Sequence, residues 1–151
     1  MIEPNRTHLA LLAAPLALAG CATASDAITP LSGSSWRLVE MQSMDDSQGI
    51  TRPDNRDRYT LEFGAEGTAF MKLDCNNGRA PWTASRTGLT SGSLEFGPIA
   101  STMAACPPGS LSERLGQQLG YVRSYLIRDG RLNMSLMADG GILVWERTGG
   151  R

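Results

Sequence analysis

Three groups of residues have types suited to chemistry. Cys75 lies in Leu-Asp-Cys-Asn-Asn-Gly-Arg-Ala-Pro-Trp (73–82), where a thiol could act as a nucleophile, a metal ligand or half of a cross-link. Ser101-Thr102 is a pair of adjacent hydroxyls, and Asp45, Asp46, Asp54 and Asp57 put four carboxylates in one polar stretch. A hydroxyl or thiol nucleophile needs a neighbouring base, usually histidine. The only histidine is His8, close to the N-terminus, and no lysine lies near Ser101-Thr102 in the sequence. Hydrogen bonding to backbone is therefore the expected work of these hydroxyls. The aspartate spacing does not match an EF-hand, so the stretch reads as a solvated loop rather than a calcium site.

The N-terminus says where such chemistry would take place. Residues 1–8 are polar with one base, Arg6, and the apolar run Leu9–Ala19 follows. That run suits a signal-peptide core and is too short to span a bilayer as a helix. It ends in Leu18-Ala19-Gly20-Cys21, which resembles the lipobox of bacterial lipoproteins. On this reading residues 1–20 are removed and Cys21 carries lipid; the competing reading is an ordinary signal peptide with a chance cysteine. Cleavage removes one base (Arg6), one acid (Glu3) and His8, so the remaining chain keeps a net charge of −1 and has no histidine. A near-neutral surface offers no electrostatic footprint for nucleic acid. The loss of histidine excludes Ser-His-Asp and Cys-His units and any His-containing zinc site.

Cys75 and Cys106 then form an even pair outside the cytoplasm, where disulfides persist. Neither belongs to a Cys-x-x-Cys motif, and beyond Asp74 no carboxylate stands beside them to complete a closed zinc site. A structural disulfide is the expectation, with a pair of buried free thiols as the alternative. No metal and no cofactor is expected.

These residues need elements to position them. Residues 21–30 are small and polar and read as a tether, and residues 31–148 as one domain. SSWRLVEMQ (34–42) reads as a strand, with Trp36, Leu38 and Glu40 facing one way and Arg37, Val39 and Met41 the other. Residues 43–57 carry turn formers and charges and read as a long loop. Alternation resumes in RYTLEF, where Tyr59, Leu61 and Phe63 share a face; GAEG (64–67) then turns the chain into TAFMKLDC, which predicts a hairpin. Asn76-Asn77-Gly78 suits a left-handed turn. RAPWTAS and SGSLEFGPI read as two further short strands, with Pro81 marking an edge or a bulge. Ser110-Leu111-Ser112-Glu113 fits a capping box for a helix over about 111–121, with Leu111, Leu115, Leu119 and Val122 on one face. YVRSYLIR and RLNMSLMA flank Asp129-Gly130, a strong hairpin signal, and ILVWER closes the chain. The fold class is mainly β: an antiparallel sheet of about eight short strands with one α-helix.

LSGSSWRLVEM, LEFGAEGTAFMKLDCNNGRAPW, FGPIASTMAAC and GRLNMSLMADGGILVWER together resemble the META domain, also called the HslJ-like domain. The most specific pieces are Trp36 after a Leu-x-Gly start, Cys75-Asn76 with Gly78, and Thr102-Met103 before Cys106. The family usually has glycine before the Cys-Asn pair, where this chain has Asp74; the departure suits a lipoprotein branch. The resemblance implies a compact barrel-like fold, an envelope location and links to heat or antibiotic stress. It implies no enzymatic activity and supplies no catalytic residues.

The functional expectation is a non-enzymatic envelope lipoprotein, attached through lipid to the periplasmic side of the outer membrane and binding an envelope protein or serving a structural role under stress. Asn76, Asn77 and Trp82 are the candidate binding surface; the plainer reading makes the asparagines a turn pinned by a disulfide and Trp82 a packing residue. The alternative function is an inhibitor of an incoming enzyme such as a lysozyme. That role needs a projecting loop with an anchor residue, for which 43–57 is the candidate.

Overall fold

The computed structural model describes residues 29–149. Signal, lipidation and most of the tether fall on residues 1–28, outside the described residues. Eight strands form a closed antiparallel barrel: β1 (Ser34–Gln42), β3 (Tyr59–Phe63), β4 (Thr68–Leu73), β5 (Asn76–Arg86), β6 (Ser91–Phe96), β8 (Val122–Arg128), β9 (Arg131–Leu136) and β10 (Ile142–Arg147). β10 pairs back onto β1, which closes the ring. Two short strands are appended, β2 (Ile50–Thr51) on β1 and β7 (Ala100–Ser101) on β5. One helix, α1 (Ser112–Leu119), lies between β7 and β8. The eight apolar-alternating segments of the sequence are the eight barrel strands.

The barrel is filled by the inward residues of every strand. Tyr59, Leu61 and Phe63 of β3 are buried with Ala69, Met71 and Leu73 of β4, as period-two alternation requires. β1 departs from the expected facing. Its register on β10 shifts between Leu38 and Glu40. Such a bulge inserts an extra residue and reverses the alternation beyond it. Met41 therefore joins Trp36 and Leu38 in the core, and Glu40 leaves it. The Asp129-Gly130 turn has positive φ at both residues (52° and 73°), as the hairpin signal predicts.

Three local expectations are corrected. The left-handed turn is at Asp74 (φ 62°), not at Asn76-Asn77-Gly78, which already belongs to β5. Leu73 pairs with Asn76, so Asp74-Cys75 is a two-residue hairpin turn. Aspartate occupies left-handed backbone at modest cost, which left the asparagines free to pair. Second, RAPWTAS is part of one eleven-residue strand. Pro81 sits where β5 changes partner, from β4 through Thr68 to β6 from Trp82 onward. Third, the capping box does not form. Ser110 Oγ accepts from the Ser112 amide at 3.2 Å, while Glu113 accepts from Gln117 Nε2 at 3.3 Å instead of reaching back. The Leu111 amide is taken by the Tyr59 hydroxyl at 2.9 Å, so docking on the barrel sets the helix start.

The two ends of the barrel differ. Leu115 and Leu119 of α1 are fully buried at the Tyr59–Leu73 end. Both described chain ends leave from the other end: Gly33 donates to the Phe63 carbonyl at 2.7 Å and Thr148 to the Ser35 carbonyl at 2.9 Å. Aromatic rings close that end. Phe63 meets Trp82 edge-on with centroids 5.0 Å apart and stacks on Phe96 at 5.9 Å.

Candidate binding groove beside the disulfide

Beyond β6 the chain climbs back along β5 toward the helix end. β7 pairs with β5 through Gly78–Ser101 and Arg79–Ala100. The pairing continues one step further, with the Thr102 amide donating to the Asn77 carbonyl at 3.0 Å. Cys75 and Cys106 are joined in a disulfide with Cα atoms 5.5 Å apart. The bridge fastens the β4–β5 turn to the segment that leads into α1.

Asn76 sits at the centre of this knot and is buried. Its Oδ1 accepts from Thr102 Oγ1 at 2.9 Å and from the Ala104 amide at 2.8 Å. Its Nδ2 donates to the Ala104 carbonyl at 3.1 Å and to Ser112 Oγ at 3.0 Å, and lies 3.3 Å from Cys106 Sγ. One amide thus binds β5, the 102–106 segment and the first turn of α1. Thr102 Oγ1 also accepts the Asn77 amide at 3.0 Å, so its hydroxyl is spent on structure. Ser101 is exposed beside it.

Asn76, Asn77 and Trp82 do not share one surface. Asn76 is consumed inside the knot, and Asn77 is exposed next to it. Trp82 lies at the opposite end of the barrel, packed on Phe63, with Nε1 donating to the Gly64 carbonyl at 3.3 Å. β5 is long enough to place its two halves at different ends, which separates residues only six apart in sequence.

A groove of about 610 Å³ opens between the 99–107 segment and α1. Leu73, Asn76 and Ile99 contribute to its lining, Ser101 to Cys106 form one side, and Ser112, Glu113, Gly116 and Gln117 the other. Glu113 is the one charged side chain in the lining. Gly116 leaves the helix surface low: a Cβ there would touch only Leu73, at 3.7 Å. Met103 stands on the rim, 94% exposed. Neither Gly116 nor Met103 is among the binding residues expected from the sequence, where Met103 figures only in the family resemblance. Two signals pointed to them: a glycine inside a short helix, unfavourable by about 1 kcal/mol relative to alanine, and a lone large apolar residue within Ser-Thr-Met-Ala-Ala-Cys.

The 43–57 loop is held down at the same end. Arg114 of α1 donates to Thr51 Oγ1 at 3.1 Å and to Gln48 Oε1 at 3.4 Å, and Arg52 pairs with Glu40 at 2.7 Å. Within the loop Asp45 accepts from Ser47 and Gln48, and Asp57 pairs with Arg37 at 2.9 Å. Among the described residues no group of three or more His, Cys, Asp or Glu side chains is arranged to hold a metal ion.

Two solved structures share the fold. An NMR structure of a protein from Burkholderia xenovorans superposes with a TM-score of 0.63 at 19% identity, covering 80% of this chain and 85% of that one. A crystal structure of a DUF4847 family protein from Bacteroides vulgatus superposes with a TM-score of 0.52 at 12% identity, covering 81% and 97%. At such identities the likeness concerns the fold. Comparison with curated proteins finds no match. The META domain profile matches residues 29–148, nearly every residue described above, and the chain belongs to the META domain family.

Proposed function

We propose that the protein is a non-enzymatic, lipid-anchored module of the bacterial cell envelope that binds an envelope component in the groove between residues 99–107 and α1, in a stress-related role. The observation that carries this reading is the placement of the groove. It lies at the helix end of the barrel, while Gly33 and Thr148 bond at the other end. A tether running back to lipid on Cys21 would leave from the end away from the groove, so the groove would face away from the membrane surface. The lining also suits binding more than catalysis. It contains no histidine or lysine, its disulfide offers no thiolate, and the Thr102 hydroxyl is engaged by Asn76 and Asn77. The inhibitor alternative depended on a projecting 43–57 loop, and that loop is tied to α1 and β1.

The test is a photo-cross-linking residue at position 103 of the full chain in its own envelope, with and without Gly116→Phe. The added ring would fill the groove from a helical position that accepts a side chain. A discrete adduct that disappears in the filled variant is the expected result. An adduct unaffected by Gly116→Phe, or the absence of any adduct, would overturn the binding reading.

A further inference from the structure

The groove is bounded on one side by an extended segment and on the other by a helix. The extended segment has one edge in use. Ala100 and Ser101 pair with Arg79 and Gly78, the Thr102 amide bonds to the Asn77 carbonyl, and both backbone groups of Ala104 bond to the Asn76 side chain. Successive residues of an extended chain send their amides and carbonyls to opposite edges. The Thr102 amide and both backbone groups of Ala104 are spent on β5 residues, so the backbone groups of Ser101, Met103 and Ala105 point to the other edge. Among the described residues no strand pairs with that outer edge of β7, and the Met103 and Ala105 amides make no hydrogen bond.

We infer that the groove takes an extended peptide, which adds as a strand to the outer edge of residues 101–105 and lies against α1. This rests on the reading of the groove as the binding site and names its occupant. Edge addition beside a helix is an established mode of peptide recognition, in which main-chain bonds give affinity and alternate side chains give specificity. Three features fit it. Ala104, Ala105 and Gly116 keep both walls low enough for a backbone to approach. Met103, flexible and polarisable, stands 94% exposed where a partner's apolar side chain would lie. Glu113 is the lone charge in the lining, so a lysine or arginine in the peptide is complementary to it.

The test selects a phage-displayed random nonapeptide library against the full lipidated chain in detergent micelles. Synthetic versions of enriched peptides are then measured for affinity. Enriched sequences should carry a basic residue and lose binding to Gly116→Phe. Glu113→Lys should weaken them about tenfold. N-methylation of alternate residues should discriminate by phase, because a paired strand uses one edge only: one phase should cost tenfold or more, and the other should leave affinity nearly unchanged. Failure to enrich any peptide, equal binding to Gly116→Phe, or equal effects of the two methylation phases would each overturn the inference. A groove-dependent adduct at position 103 without peptide enrichment would sink the peptide while leaving the binding module; loss of both would sink both.

Discussion

Thr102 Oγ1 donates to Asn76 Oδ1 at 2.9 Å and accepts the Asn77 amide at 3.0 Å, so one hydroxyl locks two successive residues of β5 to the segment walling the groove. Removing it should loosen that wall. Thr102→Val keeps the shape and leaves a buried amide oxygen one partner short, which should cost about 1–2 kcal/mol. Asn76→Ala strands the Ala104 backbone and the Ser112 hydroxyl as well, and should cost about 2–4 kcal/mol. Urea midpoints of the two variants, with unchanged slopes, are the measurement; equal losses would contradict the central place given to Asn76.

Asp74 has φ 62° and pairs with Arg58, its carboxylate nearly buried. Glycine at this position would relieve the left-handed backbone but forfeit the pair; alanine would forfeit the pair and keep the strain. Asp74→Gly should therefore lie within about 1 kcal/mol of wild type, and Asp74→Ala should be less stable than Asp74→Gly by about 1 kcal/mol. Thermal unfolding of both variants decides it, and alanine matching glycine would remove the backbone from the explanation.

Repeated local signals carried most of the fold. Tyr59-Leu61-Phe63 faced the core as the alternation required, and Asp129-Gly130 made its hairpin. The errors came where a tertiary contact chose between two acceptable local states. Either Asp74 or Asn76-Asn77-Gly78 could host a left-handed turn, and the pairing of Leu73 with Asn76 decided. Either Ser110 or the barrel could receive the first helical amides, and Tyr59 decided. The site was harder to read than the fold. Its walls meet Asn76 through Ala104 and Ser112, 28 and 36 residues further along the chain, and only the knot brings them together. The long strand β5 then parted Trp82 from the asparagines.

Glu40 should give the domain part of its acid sensitivity. Gln42 Nε2 donates to its carboxylate at 2.7 Å and holds it below the usual range, burial opposes this, and Arg52 at 2.7 Å adds to the lowering. A carboxyl with a depressed folded pKa contributes its full stabilisation above its unfolded value of about 4.3. That contribution fades as pH falls through the folded value. Glu146 acts in parallel: burial pushes its carboxyl up, and the bonds from Arg37 and Arg56 outweigh that. Wild type should exceed Glu40→Gln in stability at pH 7, and the gap should shrink between about pH 4.5 and pH 3. Denaturation midpoints across that range test it; a constant gap would rule out the linkage.

The Cys75–Cys106 bridge spans 31 residues of chain. Closing such a loop stabilises by about 3.5–4 kcal/mol on the chain-entropy estimate. Cys75→Ala with Cys106→Ala should then lower the melting temperature by on the order of 10 °C or more. The β-rich spectrum should persist at low temperature, since the barrel ladder does not pass through the bridge. Mass mapping without reductant is the direct check, and free thiols at both positions in protein isolated from its native host would refute the bridge.

Lipid on Cys21 is the premise that turns the groove outward. By its resemblance to a lipobox, the run Leu9–Ala19 followed by Gly20-Cys21 would be a processing site, and position 22 is alanine rather than the aspartate that would suit retention at the inner membrane. Each buried methylene of an acyl chain adds about 0.8 kcal/mol, so several chains hold a protein of this size at a membrane stably. The chain should fractionate with the outer membrane and resist salt washing, because its net charge of −1 gives ionic attraction little part in the attachment. Cys21→Ala should abolish lipid labelling and lose the membrane fraction. Its folded domain should melt at the wild-type temperature, since position 21 precedes the barrel strands. Equal solubility of the two proteins would sink the anchor, and with it the orientation of the groove.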